Sequence, residues 1–298
     1  MRLTTIIATS VAFAGAINIP RTGTTSLRQE ATKNNLLLGF RAVLSKQFNS
    51  LSPENELKWT FVHPVKFQYD WHKLDRLVKF ADANNMKVKG HGLLSPCCNP
   101  DYLLNITSPA ALRAEITNHF EAIMHRYHGK MDRWDVVSEA LKTNGSGLAP
   151  NHFYDTLGPS WVEDAFRIAR AADPDATLFL NENLVEVQPK NMHITLEPLV
   201  PGVIRKMVES YKALGLQVTI AETDVHTYNA TQQAEIYGDT IKEALNAGII
   251  DISFWGFTDK HLYTWLPRAK PLMFNETYYP KSAFYSTHQV LTDFNERL

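Results

Sequence analysis

The sequence predicts an α/β fold whose parallel strands close into a barrel. Three observations carry this. Short, nearly continuous apolar runs alternate with amphipathic segments along the chain, as parallel strands covered on both faces and their crossover helices require. No G-x-G-x-x-G or P-loop follows the first such run. That removes the usual nucleotide signature of a doubly wound open sheet, the other solution of strand–helix repetition. Polar and acidic residues collect where successive apolar runs stop, and in a barrel such positions converge on one mouth.

The strand-like runs are 36–43, 87–94, 133–137, 177–180, 217–221 and 251–257. The helical patterns are 71–85, 111–128, 161–172, 203–214 and 234–247, each with apolar residues at three- and four-residue spacing. No Pro/Gly/Ser-rich linker or low-complexity run divides the chain, so residues 17–298 are expected to form one domain.

Residues 1–16 read as an export signal. Met1-Arg2 supplies a positive start, Leu3 to Phe13 is mostly apolar and uncharged, and Ala14-Gly15-Ala16 is an A-x-A cleavage site. The competing reading is a first strand or helix of the fold. Four N-x-[ST] triplets agree with a secreted, extracellular protein: Asn105-Ile106-Thr107, Asn144-Gly145-Ser146, Asn229-Ala230-Thr231 and Asn275-Glu276-Thr277. The 298 residues are 44% hydrophobic and 20% charged, enough for a sizeable core. A formal net charge of −1 gives no reason to expect nucleic acid or a membrane surface as partner. Cys97 and Cys98 are adjacent, a spacing that rarely forms a disulfide, so the core must hold the fold. A monomer without a cofactor or metal is expected.

The strand ends carry the chemistry. Pro53-Glu54-Asn55 is followed by Lys58-Trp59. Gly90-His91, Ser138-Glu139, Asn181-Glu182-Asn183 and Glu222-Thr223-Asp224 end later runs, and the last carries Trp255 and Thr258-Asp259-Lys260. A single carboxylate after a strand is more often a helix cap or a loop residue. Two Glu on well-separated strands are what glycosidic cleavage needs. One holds a proton for the leaving oxygen, the other is ionised to attack the anomeric carbon, and environment sets the difference. Metal chemistry competes less well. No H-E-x-x-H or paired-Cys ligand pattern occurs, and His91, His193 and Asp224 would be its best ligands. A Ser nucleophile is disfavoured, since G-x-S-x-G is absent.

At these residues the sequence resembles the family ten glycoside hydrolases, which include many β-1,4-xylanases. Ser52-Pro53-Glu54-Asn55-Glu56-Leu57-Lys58-Trp59 is similar to T-x-E-N-x-M-K-W, and Gly90-His91-Gly92-Leu93 to G-H-T-L. Trp134-Asp135-Val136-Val137-Ser138-Glu139 is similar to W-D-V-V-N-E, and Ile220-Ala221-Glu222-Thr223-Asp224-Val225 to I-T-E-L-D-I. Phe254-Trp255-Gly256-Phe257-Thr258-Asp259 follows as the last-strand W-G-x-x-D. The resemblance implies a (β/α)8 TIM barrel and a retaining mechanism acting on endo-1,4-β-xylan. It implies Glu139 as acid/base and Glu222 as nucleophile, with His193 and Asp224 in support. Glu54, Asn55 and Lys58 would hold the sugar on the non-reducing side, with His91, Trp255 and Trp265 lining the cleft.

The departures bear on specificity. Where the family reads L-V-W-H-S-Q, this chain has Leu93-Leu94-Ser95-Pro96-Cys97-Cys98. Ser138 replaces the family's Asn, which contacts the 2-hydroxyl of the sugar being cleaved. The opened volume suits a hexose, as in fungal relatives that strip sugars from steroidal plant glycosides such as tomatine. The stretches 40–48 and 184–193 are short for full βα units, so a reduced barrel is expected there. An inactive carbohydrate-binding barrel is the alternative from another class.

Overall fold

The structure is a computed structural model that describes residues 6–9, 39–142, 146–182, 202–262, 264 and 266–297. Six strands form one parallel sheet: β1 Ile6–Thr9, β2 Ser50–Leu51, β3 Lys87–Gly90, β4 Met131–Ser138, β5 Thr177–Glu182 and β6 Gln217–Ile220. Their order is β2-β3-β4-β5-β1-β6. Beyond β6 the ladder continues: Ser253 N–H donates to Ile220 O at 2.7 Å and Trp255 N–H to Thr223 O at 3.2 Å, around a parallel bridge of Ile220 with Ile252. The predicted strand at 251–257 is therefore paired in register, although only as a bridge.

Helices connect the strands. They include α1 Phe40–Gln47, α2 Trp59–Val62, α3 His72–Ala83, α4 Asp101–Leu104 and α5 Pro109–Arg126. After β4 come α6 His152–Leu157 and α7 Trp161–Ala172, and then α8 Val203–Ala213, α9 Ala230–Asn246 and α10 Ser282–Asn295. In α7 the buried Trp161, Ala165, Phe166, Ala169 and Ala172 recur at helical spacing, and Glu163 and Asp164 favour its positive N-terminal end. Asn229 caps α9, its Oδ1 accepting from Thr231 N–H and Gln232 N–H at 3.0 and 3.1 Å. The core runs from Trp59 and Phe120 through Trp134 to Phe254 and Tyr237, all fully buried. Among the described residues no helix is long and apolar enough to cross a membrane.

Two expectations change. The run at 36–43 is not a strand where it is described. Gly39 is extended and Phe40–Gln47 is helical, burying Val43 and Leu44. Apolar residues at 40, 43 and 44 have helical spacing, which the preceding leucines obscure. The short stretch at 40–48 thus supplies a full helix ahead of a two-residue strand. The other short stretch, 184–193, lies outside the described residues.

At the N-terminus, Ile6–Thr9 fills the place between β5 and β6, pairing Ile6 with Phe179 and Gln217, and Thr9 with Glu182 and Ile220. These residues belong to the stretch that reads as an export signal. In one molecule, cleavage after Ala16 and this pairing exclude each other.

Candidate active site

The site is built at the C-terminal ends of β3, β4, β5 and β6. Register sets its first wall: Gly90 faces Trp134, and Ser138 faces Asn181. A Cβ on residue 90 would overlap the Trp134 ring, so only glycine allows this approach. Lys89 Nζ sits 2.7 Å from Asp135 Oδ1, and His91 Nδ1 is 2.9 Å from Asp135 Oδ2. All three side chains are buried. Burial pushes the Asp135 carboxyl up, but the Lys89 charge and the His91 hydrogen bond outweigh it and hold the group below its ordinary range. Asp135 is thus ionised, and His91 donates to it.

Asn181 joins this wall to both predicted catalytic carboxylates. Its side-chain amide donates to Asp135 Oδ2 at 3.3 Å and to Glu222 Oε1 at 2.9 Å. Its backbone carbonyl accepts from Glu139 N–H at 2.7 Å. Glu139 is exposed, with φ of 55°, in the left-handed region that few non-glycine residues occupy. Glu222 is half-buried. Its carboxyl is pushed well up by burial and by the charges of Asp135 and Glu139, against the Asn181 hydrogen bond and Lys89, which lower it. The two carboxylates are therefore close enough to feel each other.

Asn55, Lys58 and Trp255, predicted to bind sugar, are linked by contacts that lead to His91 in the first wall. Asn55 Oδ1 accepts from Lys58 Nζ at 3.1 Å, and that ammonium lies 5.6 Å from the Trp255 ring centre. Trp255 meets His91 edge-on at 6.2 Å. Burial, with Glu56 adding and Lys58 opposing, pushes the Glu54 carboxyl up to about 7. Glu54 also lines a cavity of about 270 Å³ with Phe40, Gly256, Phe257, Thr258 and His261. The Ser138 hydroxyl is buried and has no hydrogen-bond partner among the described residues. Ser95 is buried too, and its Oγ accepts from Cys97 N–H at 3.4 Å. It is tied into its own loop. Cys97 and Cys98 are free thiols.

Asp224 pairs with a histidine that sequence reasoning missed. Its Oδ2 accepts from His226 Nε2 at 2.8 Å, while His226 Nδ1 lies 3.0 Å from Thr264 Oγ1. The expected partner His193 lies outside the described residues, as does Trp265. His91 and Asp224, weighed as metal ligands, face Asp135 and His226 instead. Asn181, Glu182, Lys89 and Asp135 were also missed as site residues. The strand-end rule that found Glu139 and Glu222 already pointed at Asn181-Glu182.

Comparison with known proteins agrees with this geometry. A family profile, Glycosyl hydrolase family 10, matches residues 19–197 and 189–290. Endo-1,4-beta-xylanase B of Thermotoga neapolitana is 30% identical over 320 residues, covering 90% of this chain and 92% of that protein. A beta-1,4-xylanase of Dictyoglomus thermophilum is 30% identical over 297 residues, covering 83% of each. Among solved structures, native xylanase 10B of Thermotoga maritima superposes with a TM-score of 0.79 at 31% identity, over 87% of this chain and 91% of that one. Xylanase 10B of Thermotoga petrophila RKU-1, solved with xylobiose, gives 0.79 at 29% identity, over 92% and 99%. Parallel strands, strand-end carboxylates and these matches together make the chain a glycoside hydrolase with the (β/α)8 barrel fold, and it belongs to glycosyl hydrolase family 10.

Proposed function

We propose that the protein hydrolyses β-1,4-linked xylan internally and with retention of anomeric configuration, with Glu222 as nucleophile and Glu139 as acid/base. The observation that carries this reading is the double use of Asn181, which ties Glu139 by backbone and Glu222 by side chain. Protonated Glu139 gives its proton to the leaving oxygen while Glu222 attacks the anomeric carbon, forming a glycosyl ester. Ester formation removes the Glu222 charge that faces Glu139. Glu139 then takes a proton from the incoming water, which displaces Glu222 and releases the sugar. Burial disfavours the charged nucleophile, and the Asn181 amide and Lys89 oppose that without outweighing it. His91, Lys58 and Trp255 form the sugar-facing surface. The test is hydrolysis of xylan and aryl β-xylobiosides by purified protein. Release of short β-xylo-oligosaccharides is expected, and inertness towards both would overturn the reading.

One observation favours a hexoside as the better substrate. Ser95 stands where the family pattern has a bulky aromatic and is turned into its own loop; the smaller side chain would leave room for a hydroxymethyl group if the cleaved sugar lies beside it. Matched aryl β-xylobiosides and β-hexosides compared by kcat/KM decide it, together with a Ser95→Trp, Ser138→Asn double variant. A shift of that variant towards the xyloside supports the hexoside reading. A strong native preference for the xyloside defeats it.

Export is also part of the proposal, resting on Arg2, the apolar stretch to Phe13 and Ala14-Gly15-Ala16. The exposed Asn105 and Asn229 are the expected glycan carriers in a eukaryotic host. Intact-mass analysis of protein from culture medium should give a chain beginning at Ile17, without the Ile6–Thr9 strand that the uncleaved chain pairs between β5 and β6. Recovery of unglycosylated, cytosolic protein with Met1 would contradict it.

A further inference from the structure

Glu139 stands in a backbone conformation that an L-residue adopts at a cost, so its surroundings must impose it. Three successive amides show how. Glu139 N–H donates to the Asn181 carbonyl at 2.7 Å. Ala140 N–H donates to Glu182 Oε1 at 2.7 Å, and Leu141 N–H donates to Glu182 Oε2 at 3.2 Å. The end of β5 therefore holds the chain on both sides of the Glu139 side chain. Further along, Ala149 N–H donates to Ala140 O at 2.7 Å, and Leu141 bridges Leu148, so the same segment is anchored from its other edge.

Glu182 is buried. Burial and the Glu139 charge push its carboxyl up to about 7, while the two amides pull it down. Its chemistry is specific to a carboxylate. Both oxygens must accept. A glutamine offers one acceptor and sets an NH2 group against the other N–H. An aspartate keeps both acceptors but draws them back by one methylene.

We infer that Glu182 is a positioning residue: by accepting from the Ala140 and Leu141 amides it fixes the turn that aims the Glu139 carboxyl at the leaving oxygen. This rests on the acid/base reading of Glu139. The prediction concerns leaving groups. A misaimed acid hurts substrates whose leaving group needs a proton and spares those that do not, whereas general loss of structure hurts both alike.

The experiment compares wild type, Glu182→Gln, Glu182→Asp and Glu139→Ala on aryl β-xylobiosides ranging from dinitrophenyl to phenyl leaving groups, with thermal melts of each. Glu182→Gln should lose about tenfold or more in kcat/KM on the phenyl substrate, a fraction of the roughly 10²–10⁴ that an acid supplies. It should change little on the dinitrophenyl substrate. Glu182→Asp should fall between it and wild type. If Glu182→Gln does not fold, Glu182→Asp alone decides by the same slope. Equal losses across leaving groups, or none, overturn the inference provided that Glu139→Ala shows the steep dependence. If Glu139→Ala lacks it, the acid/base reading itself has failed and the inference falls with it.

Discussion

The two carboxylates of the cleft are held by opposite means. Glu139 is exposed and carried on left-handed backbone, and its constraint is three amide hydrogen bonds to the end of β5. Glu222 is half-buried after the strand β6, and what acts on it is a side-chain amide and a field of charges. Backbone restraint fixes direction, which a proton donor needs. Charges and burial set ionisation, and on balance they push the Glu222 carboxyl up, against the charge that the proposed nucleophile must carry. The comparison teaches that a wall of one barrel can aim a group while the facing wall tunes one.

The largest effects should separate the two groups. Glu222→Ala should abolish turnover on every substrate. Glu139→Ala should lose about 10²–10⁴ on poor leaving groups and much less on dinitrophenyl glycosides, with added azide restoring part of the latter activity. Steady-state kinetics with both substrate types check this. Matching profiles for the two variants would erase the contrast.

Asn181→Ala sharpens it. The variant keeps the backbone carbonyl that holds Glu139 and loses the amide that holds Glu222. A hydrogen bond to a charged group is worth about 1.5–3 kcal/mol, or roughly 10–100-fold. The loss in kcat/KM should be of that order and similar across leaving groups, unlike the loss from Glu182→Gln.

Much of this was legible in the sequence. Glu139 and Glu222 stand out because each follows an apolar run within a recognisable motif, and the strands at 87–90, 131–138, 177–182 and 217–220 lie within or close to the predicted runs. Asn181, Lys89 and Asp135 were not legible as a network, because their meeting depends on the register of β3, β4 and β5. Spacing along one strand does not encode register against its neighbours. His226 was hidden differently: it lies two residues past Asp224 and turns back upon it, while the family pattern directed attention to His193. Over its described part the strand reading of 36–43 gives way to a helix, because a run of leucines masks the helical period that begins at Phe40.

On stability, the first wall should prove the more fragile to charge removal. Lys89→Met leaves Asp135 buried without its ammonium. Breaking one side of such a pair costs about 3–5 kcal/mol, readable by denaturant unfolding. A change below about 1 kcal/mol would mean that His91 and Asn181 suffice to hold Asp135.

The smallest effect lies away from the cleft. His63 and His119 stack with Trp59, their Nδ1 atoms 3.1 Å apart. Burial pushes His63 down to about 4, and His119 well below the usual histidine range. Their folded-state affinity for protons is lower than in the unfolded chain, so the stability they contribute is complete above pH 6.5 and declines as pH falls towards 4. Thermal melts should show Tm dropping across that window, with a shallower drop in His119→Phe. An unchanged slope in that variant would remove the pair as the cause.

The central assignment is tested most directly by trapping the intermediate. An aryl 2-deoxy-2-fluoro-β-xylobioside with a dinitrophenyl leaving group slows release of the sugar more than its capture. Peptide mapping after inactivation should place one covalent glycosyl group on Glu222 in wild type, and none in Glu222→Ala. A label on Glu139, or hydrolysis that yields the α-anomer without any adduct, would contradict it.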